Sequence, residues 1–228
     1  MEFFVALHGI TSIGGILTTC NPSYTAPELL RQLRDSRTRV LITDPEYVDT
    51  ALAAASQAGV EAVYVTGKKA DDCESFDSLL DNNGENYPNV DINTREDVAV
   101  LPYSSGTTGL PKGVMLTHYQ ITANALQMTI PGLFHYRPED VSVGFMPMYH
   151  IYGMIGYGGI YPQLGMKVVL MRSFNPEMFL DIIQKHKVKN RLDGLCDVTE
   201  KKCIVPCMLM QKAKLRRVYA CYLTVARR

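Results

Sequence analysis

Hydrophobic residues recur along the first 188 residues with two periods, one helical and one typical of strands. Helical spacing is seen over Pro27–Arg37, Tyr47–Ala58, Gln120–Thr129 and Pro176–His186. The short β-branched or apolar runs that predict strands are Arg39–Thr43, Glu61–Thr66, Val98–Tyr103, Val114–Thr117, Val141–Met146 and Lys167–Met171. Strands that alternate with helices predict an α/β fold, with layered sheets and flanking helices.

Capping and turn residues predict where several of these elements end. Thr25 is a candidate N-cap for the first of the four helices, and Pro27 lies in its first turn, where proline is tolerated. Gly59 follows the alanine-rich helix as a C-terminal signal. The polar stretch Lys68–Asp97 predicts a surface loop around one short helix.

The N-terminal stretch carries no charge between Glu2 and Glu28. A secretory signal needs basic residues before its apolar run, and a membrane-spanning helix needs about 20 apolar residues. The only charged residue before this run is the acidic Glu2, and Gly14, Gly15 and Pro22 interrupt the run. The pattern therefore predicts a buried helix followed by a loop, with no transmembrane segment.

Composition adds a contrast between the body of the chain and its end. The net charge of the 228 residues is zero, which gives no sign of a nucleic-acid partner. Residues 1–188 nevertheless carry 13 basic and 20 acidic residues, whereas residues 189–228 carry 10 and 3. Sparse cysteine in the body predicts a reducing, cytoplasmic location, with a peroxisomal address open for a longer parent protein.

The two parts are therefore interpreted separately, as a body at 1–188 and a divergent basic tail at 189–228. Four of the six cysteines lie in the tail, at Cys196, Cys203, Cys207 and Cys221. Only one close pair is present, so a zinc site is disfavoured, and Lys212–Arg217 is interpreted as solvated rather than nucleic-acid-binding. We expect a poorly folded tail, helical at most over 207–218, that arose by out-of-frame or alternative-exon translation.

A loop between two predicted strands carries the clearest chemistry. It consists of Ser104, Ser105, Gly106, Thr107, Thr108, Gly109, Leu110, Pro111, Lys112 and Gly113. Hydroxyl and backbone N–H groups are suited to phosphate oxygens, and glycine lets the main chain approach closely. Lys112 adds a mobile positive charge. A hairpin loop that is merely rich in Ser, Thr and Gly is the alternative on composition alone.

The spacing of this loop excludes a P-loop. That motif requires Gly, four residues, and then Gly-Lys-Ser or Gly-Lys-Thr at the start of a helix. Lys112 instead lies between Pro111 and Gly113, and the sequence continues into a predicted strand.

The stretch Asp97–Asn124, DVAVLPYSSGTTGLPKGVMLTHYQITAN, resembles the phosphate-loop signature of the adenylate-forming enzymes. That superfamily includes acyl-CoA synthetases, 4-coumarate–CoA ligases and firefly luciferase. Leu7–Thr43 and the segment MPMYHIYGM at Met146–Met154 are similar to the segments that flank the loop in the family. The resemblance covers roughly residues 1–188 and implies part of the large N-terminal domain of such a ligase.

The resemblance implies a two-step reaction with ATP, Mg²⁺, a small carboxylic acid and coenzyme A. The carboxylate attacks the α-phosphate of ATP to give an acyl-adenylate and pyrophosphate, and a thiol then displaces AMP. Residues Ser104–Thr108 and Gly109 would hold the phosphates, while Lys112 would guide the departing pyrophosphate. His150 would lie beside the reacting carboxylate, and Tyr152 and Gly153 would line the acyl site. No protein-held metal site is predicted.

Two departures from the family pattern limit these implications. Related ligases have a lysine shortly after the strand Val168–Met171, where it can meet coenzyme A, and this sequence has Arg172-Ser173. The family's adenine, ribose and Mg-binding segments and its C-terminal lysine have no counterpart in residues 189–228. We therefore expect either a truncated form of a ligase or a non-catalytic isoform that at most binds nucleotide weakly. His118 is expected to be structural.

Overall fold

The computed structural model describes residues 2–67, 70–81, 84–85, 87–104, 109–130, 136–188, 196–197, 202–203 and 222–226. The chain divides into two compact units. Unit 1 comprises Met1–Asn124 with Ala220–Arg228, and unit 2 comprises Ala125–Tyr219. Both contain strands and helices, which confirms the predicted α/β class.

The described helices reproduce the predicted ones, with additions. They are α1 (Glu2–Ser12), α2 (Ala26–Asp35), α3 (Val48–Ala58), α4 (His118–Met128), α5 (Ile151–Ile155), α6 (Tyr161–Gln163) and α7 (Pro176–His186). Two 3₁₀ turns occupy Pro45–Tyr47 and Phe76–Leu79, and a π-helical turn, Gly156–Ile160, joins α5 to α6. No described helix has the length and apolar character needed to cross a membrane.

Capping interactions explain where α2 and α3 begin and end. The backbone N–H of Thr25 donates to Oε2 of Glu28 at 2.8 Å, and this bond lowers the pKa of Glu28. Gly59 ends α3 in the left-handed conformation, at φ 74°, and its N–H donates to the carbonyl of Ala55. Both caps were predicted from the sequence.

The described strands are β1 (Ile16–Cys20), β2 (Thr38–Thr43), β3 (Ala62–Val65), β4 (Glu74–Ser75), β5 (Val98–Ser104), β6 (Lys112–Gly113), β7 (Leu116–Thr117), β8 (Val141–Gly144), β9 (Lys167–Leu170), β10 (Cys196–Asp197), β11 (Lys202–Cys203) and β12 (Tyr222–Ala226). The large sheet of unit 1 has the order β4-β3-β2-β12-β1-β5-β6, and β7 pairs with β5. Strands β1–β5 run in one direction, because β12 is antiparallel to both β1 and β2.

Strand β1 corrects the predicted N-terminal loop. The buried helix is present as α1, but Ile16–Cys20 forms a strand whose last four residues are buried. Thr18 and Thr19 are β-branched and fit a strand, and Thr18 Oγ1 donates to the carbonyl of Leu101 on β5 at 2.6 Å. The predicted strand Val114–Thr117 is likewise replaced by the two short strands β6 and β7.

Strand β12 departs from the expectation of a poorly folded tail. Residues 222–226 lie in the middle of the large sheet, paired on both sides. The predicted helix at 207–218 lies outside the described residues, as do Cys207, Cys221 and Lys212–Arg217.

The core of unit 1 is packed between the sheet and helices α2 and α3. Leu29 and Leu33 of α2 contact Ala51 and Ala54 of α3, and all four are fully buried. Gln32 is the buried polar residue of this face, and its Nε2 donates to the carbonyl of Thr19 at 3.0 Å. The amide thereby connects α2 to β1, which sits next to β5.

Unit 2 contains a small parallel sheet of β8 and β9 covered by α7. Val143 and Phe145 pack with Met171 and Phe179, and the rings of Phe145 and Phe179 meet edge to face at 5.4 Å. Asn175 caps α7 by accepting the N–H of Met178 at 2.9 Å. This packing fixes the carboxyl end of β8, from which the His150 segment follows.

Candidate active site

The glycine- and hydroxyl-rich loop joins two antiparallel strands. Ser104 is the last residue of β5, and it is the register partner of Lys112, the first residue of β6. The backbone pairing therefore holds the two ends of the loop side by side. A strand follows the loop where a P-loop would have a helix, in agreement with the exclusion of that motif.

Part of the predicted phosphate site can be located on this hairpin and part cannot. Ser104, Gly109 and Lys112 are described and exposed. Ser105, Gly106, Thr107 and Thr108 lie outside the described residues. Among the residues that the structure does describe, none forms an ion pair with Lys112.

The hairpin has a glycine where its backbone requires one. Gly109 has φ 123°, a conformation that residues with a Cβ rarely adopt. Gly113 is restricted by packing, since a Cβ there would lie 3.1 Å from Leu101 Cδ1 and 3.2 Å from Tyr103 Cζ. Glycine therefore suits the backbone on either side of Lys112.

A hydrogen bond from Tyr103 connects the hairpin to helix α2. The Tyr103 hydroxyl donates to Oδ2 of Asp35 at 2.5 Å. Burial of the hydroxyl, followed by the hydrogen bond to Asp35, raises the pKa of Tyr103 well above its usual value. This positioning contact was not predicted, since nothing in the local sequence pairs residues 68 positions apart.

Helix α4 begins directly after the hairpin. Thr117 and Gln120 cap it reciprocally: the Thr117 N–H donates to Gln120 Oε1 at 2.9 Å, and the Gln120 N–H donates to Thr117 Oγ1 at 3.3 Å. His118 is half-buried at the first position of α4, and its N–H donates to the carbonyl of Asp97 at 3.3 Å. These contacts fit the structural role expected for His118.

In unit 2, His150 caps helix α5. Its Nδ1 accepts the N–H of Tyr152 at 3.3 Å, and its carbonyl accepts the N–H of Met154 at 3.0 Å. The imidazole is exposed. Because Nδ1 is an acceptor, the neutral ring carries its proton on Nε2, and Nε2–H is the group that can donate to a ligand.

Gly153 has a packing role that its sequence position alone does not show. It is buried, and a Cβ there would lie 2.2 Å from the carbonyl oxygen of Pro147. Only glycine lets α5 approach the preceding loop this closely, so Gly153 sets the position of His150. Its predicted place in an acyl site stays a prediction.

Aromatic rings line the start of the helical segment that follows His150. Tyr152 and Tyr157 meet edge to face at 6.3 Å, and Tyr157 and Tyr161 lie 5.9 Å apart. The buried Tyr157 hydroxyl accepts the N–H of Met146 at 3.2 Å, and burial raises the pKa of Tyr157. Tyr157 was missed by sequence reasoning, although it lies four residues before Tyr161, which is a helical spacing.

Arg172 follows strand β9 and is exposed. Strands β8 and β9 are parallel, so His150 and Arg172 both follow carboxyl ends of the same small sheet. Open α/β sheets bind ligands at this edge. A role for Arg172 with coenzyme A stays a prediction.

The described residues contain no group of three or more His, Cys, Asp or Glu side chains that could hold a metal ion. Lys112 and His150 belong to different compact units.

Comparison with known proteins agrees with this organisation. A family model described as AMP-binding enzyme matches residues 1–190. The 4-coumarate–CoA ligase 1 of Petroselinum crispum is 36% identical over 190 residues, which cover 82% of this chain and 34% of the relative. The 4-coumarate–CoA ligase of Vanilla planifolia is 36% identical over 194 residues, with coverage of 82% and 35%. The chain thus spans about a third of the length of these relatives.

Solved structures show the same likeness in three dimensions. A red-emitting luciferase from Phrixothrix hirtus superposes with a TM-score of 0.74 at 25% identity, over 82% of this chain and 47% of that one. The ATP-bound MatB from Rhodopseudomonas palustris superposes with a TM-score of 0.68 at 25% identity, over 81% and 35%. Because the family model covers most of the chain, and the Ser/Thr/Gly-rich hairpin and the layered α/β fold accompany it, the chain belongs to the AMP-binding enzyme family.

Proposed function

We propose that this chain carries the phosphate-binding and acyl-binding portions of an AMP-forming acid–thiol ligase. In the first step a carboxylate oxygen attacks the α-phosphorus of ATP, the bond to the bridging oxygen breaks, and pyrophosphate leaves. In the second step the thiol of coenzyme A attacks the acyl carbon and AMP leaves. The observation that carries this proposal is the hairpin that holds Ser104 beside Lys112 and leaves the Lys112 ammonium group unpaired among the described residues.

The chemistry of the first step suits this hairpin. Negative charge accumulates on the β- and γ-phosphates as pyrophosphate leaves, and a positioned ammonium group and hydroxyl donors stabilise that charge. Lys112 is anchored by the β5–β6 pairing, while its flexible side chain can follow the departing group. Ser104 supplies a hydroxyl at the opposite end of the loop, and Ser105, Gly106, Thr107 and Thr108 are proposed to complete the phosphate contacts.

His150 and Tyr152 are proposed to contact the acyl group. The bond from the Tyr152 N–H fixes the imidazole, so its Nε2–H is available to donate to an acyl oxygen. A neutral donor orients the carboxylate without reducing its nucleophilicity as strongly as a fixed positive charge would. The π-helical turn between α5 and α6 carries the buried Tyr157, whose ring contacts Tyr152 of α5.

Mg²⁺ is proposed to arrive with ATP as part of the substrate, since triphosphates are bound in proteins as Mg²⁺ complexes. Coenzyme A is proposed as the thiol because the most similar relatives reported above are named as CoA ligases. The acid is proposed to be a small carboxylic acid, and aromatic, medium-chain and long-chain acids are all candidates.

The test is ATP–pyrophosphate exchange with the full chain and a panel of aromatic, medium-chain and long-chain carboxylic acids. Acid-dependent incorporation of labelled pyrophosphate into ATP supports the proposal, and thioester formation with coenzyme A extends it to the second step. Circular dichroism and a cooperative melting transition establish that the sample is folded. A folded sample with no exchange for any acid would refute catalysis by this chain and favour a non-catalytic, nucleotide-binding isoform.

A further inference from the structure

Strand β12 lies in the middle of the large sheet, and both strands next to it run antiparallel to it. Its residues pair antiparallel with β1 from Ile16↔Ala226 to Cys20↔Tyr222. On its other side Leu223, Thr224 and Val225 pair antiparallel with Ile42, Leu41 and Val40 of β2. The strand therefore bridges two halves of the sheet that have no direct pairing with each other.

The position is buried as well as paired. Thr224 is fully inaccessible to solvent, and Leu223 and Ala226 are buried, while Val225 is half-buried. The Thr224 hydroxyl donates to the carbonyl of Thr18 at 3.2 Å, a bond between residues 206 positions apart. The site thus selects a small polar residue at 224 and an apolar residue at 223, and is more tolerant at 225.

Without β12, strands β1 and β2 would each present an unpaired edge inside the molecule. Neighbouring strands lie about 4.8 Å apart, so the space between β1 and β2 spans about 9.6 Å and fits one strand. Each buried backbone group left without a partner costs on the order of 1–3 kcal/mol. The gap therefore favours binding of an extended segment through backbone hydrogen bonds, as in strand-addition complexes.

The connection between this strand and the rest of the chain is long. The 33 residues 189–221 separate Val188 from Tyr222. Loop-closure entropy rises only slowly with the length of a connection. A covalent link favours insertion of the chain's own strand into the gap. It does not exclude insertion of the same strand from another molecule.

We propose that the gap between β1 and β2 is an acceptor site for one extended, antiparallel strand. It is filled in cis by Tyr222–Ala226 and accepts the same strand in trans from a second copy of the chain. The recognition chemistry is backbone pairing on both edges together with a buried small residue at the position of Thr224. This inference does not depend on the proposed ligase activity.

The experiment uses the full chain with a recognition sequence for a specific endoprotease inserted between Arg217 and Val218. After cleavage, the segment that begins at Val218 is expected to stay with the body through gel filtration. A fluorescent peptide with the sequence of residues 218–228, added in excess, is expected to replace it and raise the fluorescence anisotropy. Loss of the segment from a body that keeps its circular dichroism and melting midpoint would overturn the proposal.

Competing peptides test the predicted recognition. A peptide with Thr224→Arg places a charge at a fully buried position and is expected to compete about 100-fold more weakly than the native sequence. A peptide with Val225→Thr keeps a β-branched residue at the half-buried position and is expected to stay within about threefold. Equal competition by both peptides would overturn site-specific insertion.

A measurement on the uncleaved chain covers the case in which cleavage unfolds the protein. Hydrogen exchange of Leu223–Ala226 as slow as that of β1 supports the site, and fast exchange in a folded chain overturns it.

To distinguish insertion of the chain's own strand from insertion of a second copy's strand, two differently tagged full chains are refolded together at high concentration. Co-purification that Thr224→Arg abolishes supports insertion in trans from a second copy, whereas exclusive recovery of single chains with slow exchange would overturn insertion in trans.

Discussion

At the scale of single residues, the candidate site residues depend on one positively charged side chain and on one glycine. Lys112 supplies the positive charge at the end of the hairpin. Gly153 supplies the missing side chain, since its Cα lies against the Pro147 carbonyl and thereby sets the helix that begins at His150. In the proposed function the first would act on the ligand, whereas the second acts only through the position of another residue, so their substitutions are expected to have different signatures.

Lys112→Ala is expected to reduce acid-dependent ATP–pyrophosphate exchange by on the order of 10²–10³, the usual cost of removing one charge-stabilising donor. Lys185→Ala is the matched control, because Lys185 is an exposed lysine in the last turn of α7. Both variants should keep the parent melting temperature. An Lys112→Ala variant within threefold of the parent would contradict the assigned role.

Gly153→Ala is expected to lower the free energy of unfolding by about 1–3 kcal/mol, because the added Cβ overlaps the Pro147 carbonyl. Gly156→Ala is the control: the nearest atom to its added Cβ is 4.0 Å away and its backbone is helical. That substitution should be neutral or stabilise by up to about 1 kcal/mol. Chemical denaturation measures both, and equal effects would show that the close approach at Gly153 is absent.

At the scale of elements, the hairpin is held in place by contacts that join it to α2 and β1. The Tyr103 hydroxyl reaches Asp35 at the end of α2, and Thr18 of β1 donates to Leu101 of β5. These bonds hold strand β5 in place, and the Ser/Thr/Gly-rich loop follows that strand. They connect positions far apart in the sequence. A substitution that removes either bond therefore probes tertiary packing rather than local secondary-structure propensity.

Tyr103→Phe is expected to lower the free energy of unfolding by about 1 kcal/mol near pH 7, the usual value of one hydrogen bond. Because the pKa of Tyr103 is raised in the folded state, the stability that its protonated form contributes is fully present below the unfolded pKa of about 10 and is lost as the pH rises. The difference between parent and variant should therefore shrink above pH 10.

Tyr119→Phe serves as the control for this measurement, because Tyr119 is exposed and its ring contacts Arg95 through its face. Its free energy of unfolding should change by less than about 0.5 kcal/mol at every pH. A difference for Tyr103→Phe that stays constant up to pH 11 would contradict the raised pKa.

The sequence predicted best the elements whose signals are local. Helices α2, α3 and α7 were predicted to within a few residues, because caps such as Thr25 and Gly59 and the spacing of leucines lie within each element. Strand β1 was missed because Thr18 and Thr19 interrupt an apolar run and were interpreted as loop. The helical segment after His150 was missed because its glycines lower helix propensity, and tertiary packing overrides that cost.

The candidate site was only partly predictable for the same reason. The loop composition and the family resemblance identify Ser104, Lys112 and His150 from sequence. The Tyr103–Asp35 bond and the close approach at Gly153 depend on atoms brought together by folding. Such contacts leave no periodic signal in the chain.

At the scale of the whole molecule, the two ends of the sequence meet in one sheet. Strand β1 follows the first helix and β12 is the last described element, yet they are direct neighbours. A strand that is paired on both sides and buried is expected to behave as part of the core.

Hydrogen exchange of Leu223–Ala226 is therefore expected to require global rather than local opening, at a rate comparable with that of Leu17–Cys20. The control is β4, a two-residue strand at the edge of the sheet, which should exchange much faster. Mass-spectrometric exchange over minutes to hours distinguishes the two segments. Equal, fast exchange of both would show that β12 does not act as a central strand.

The central position of β12 also has a consequence for synthesis on the ribosome. Strands β1 and β2 are synthesised before the strand that lies between them. At about 5–20 residues per second, the interval from Thr43 to Tyr222 lasts roughly 10–40 s. During that time two inner strand edges have no partner, so we expect the nascent chain to be prone to aggregation until Tyr222–Ala226 has emerged.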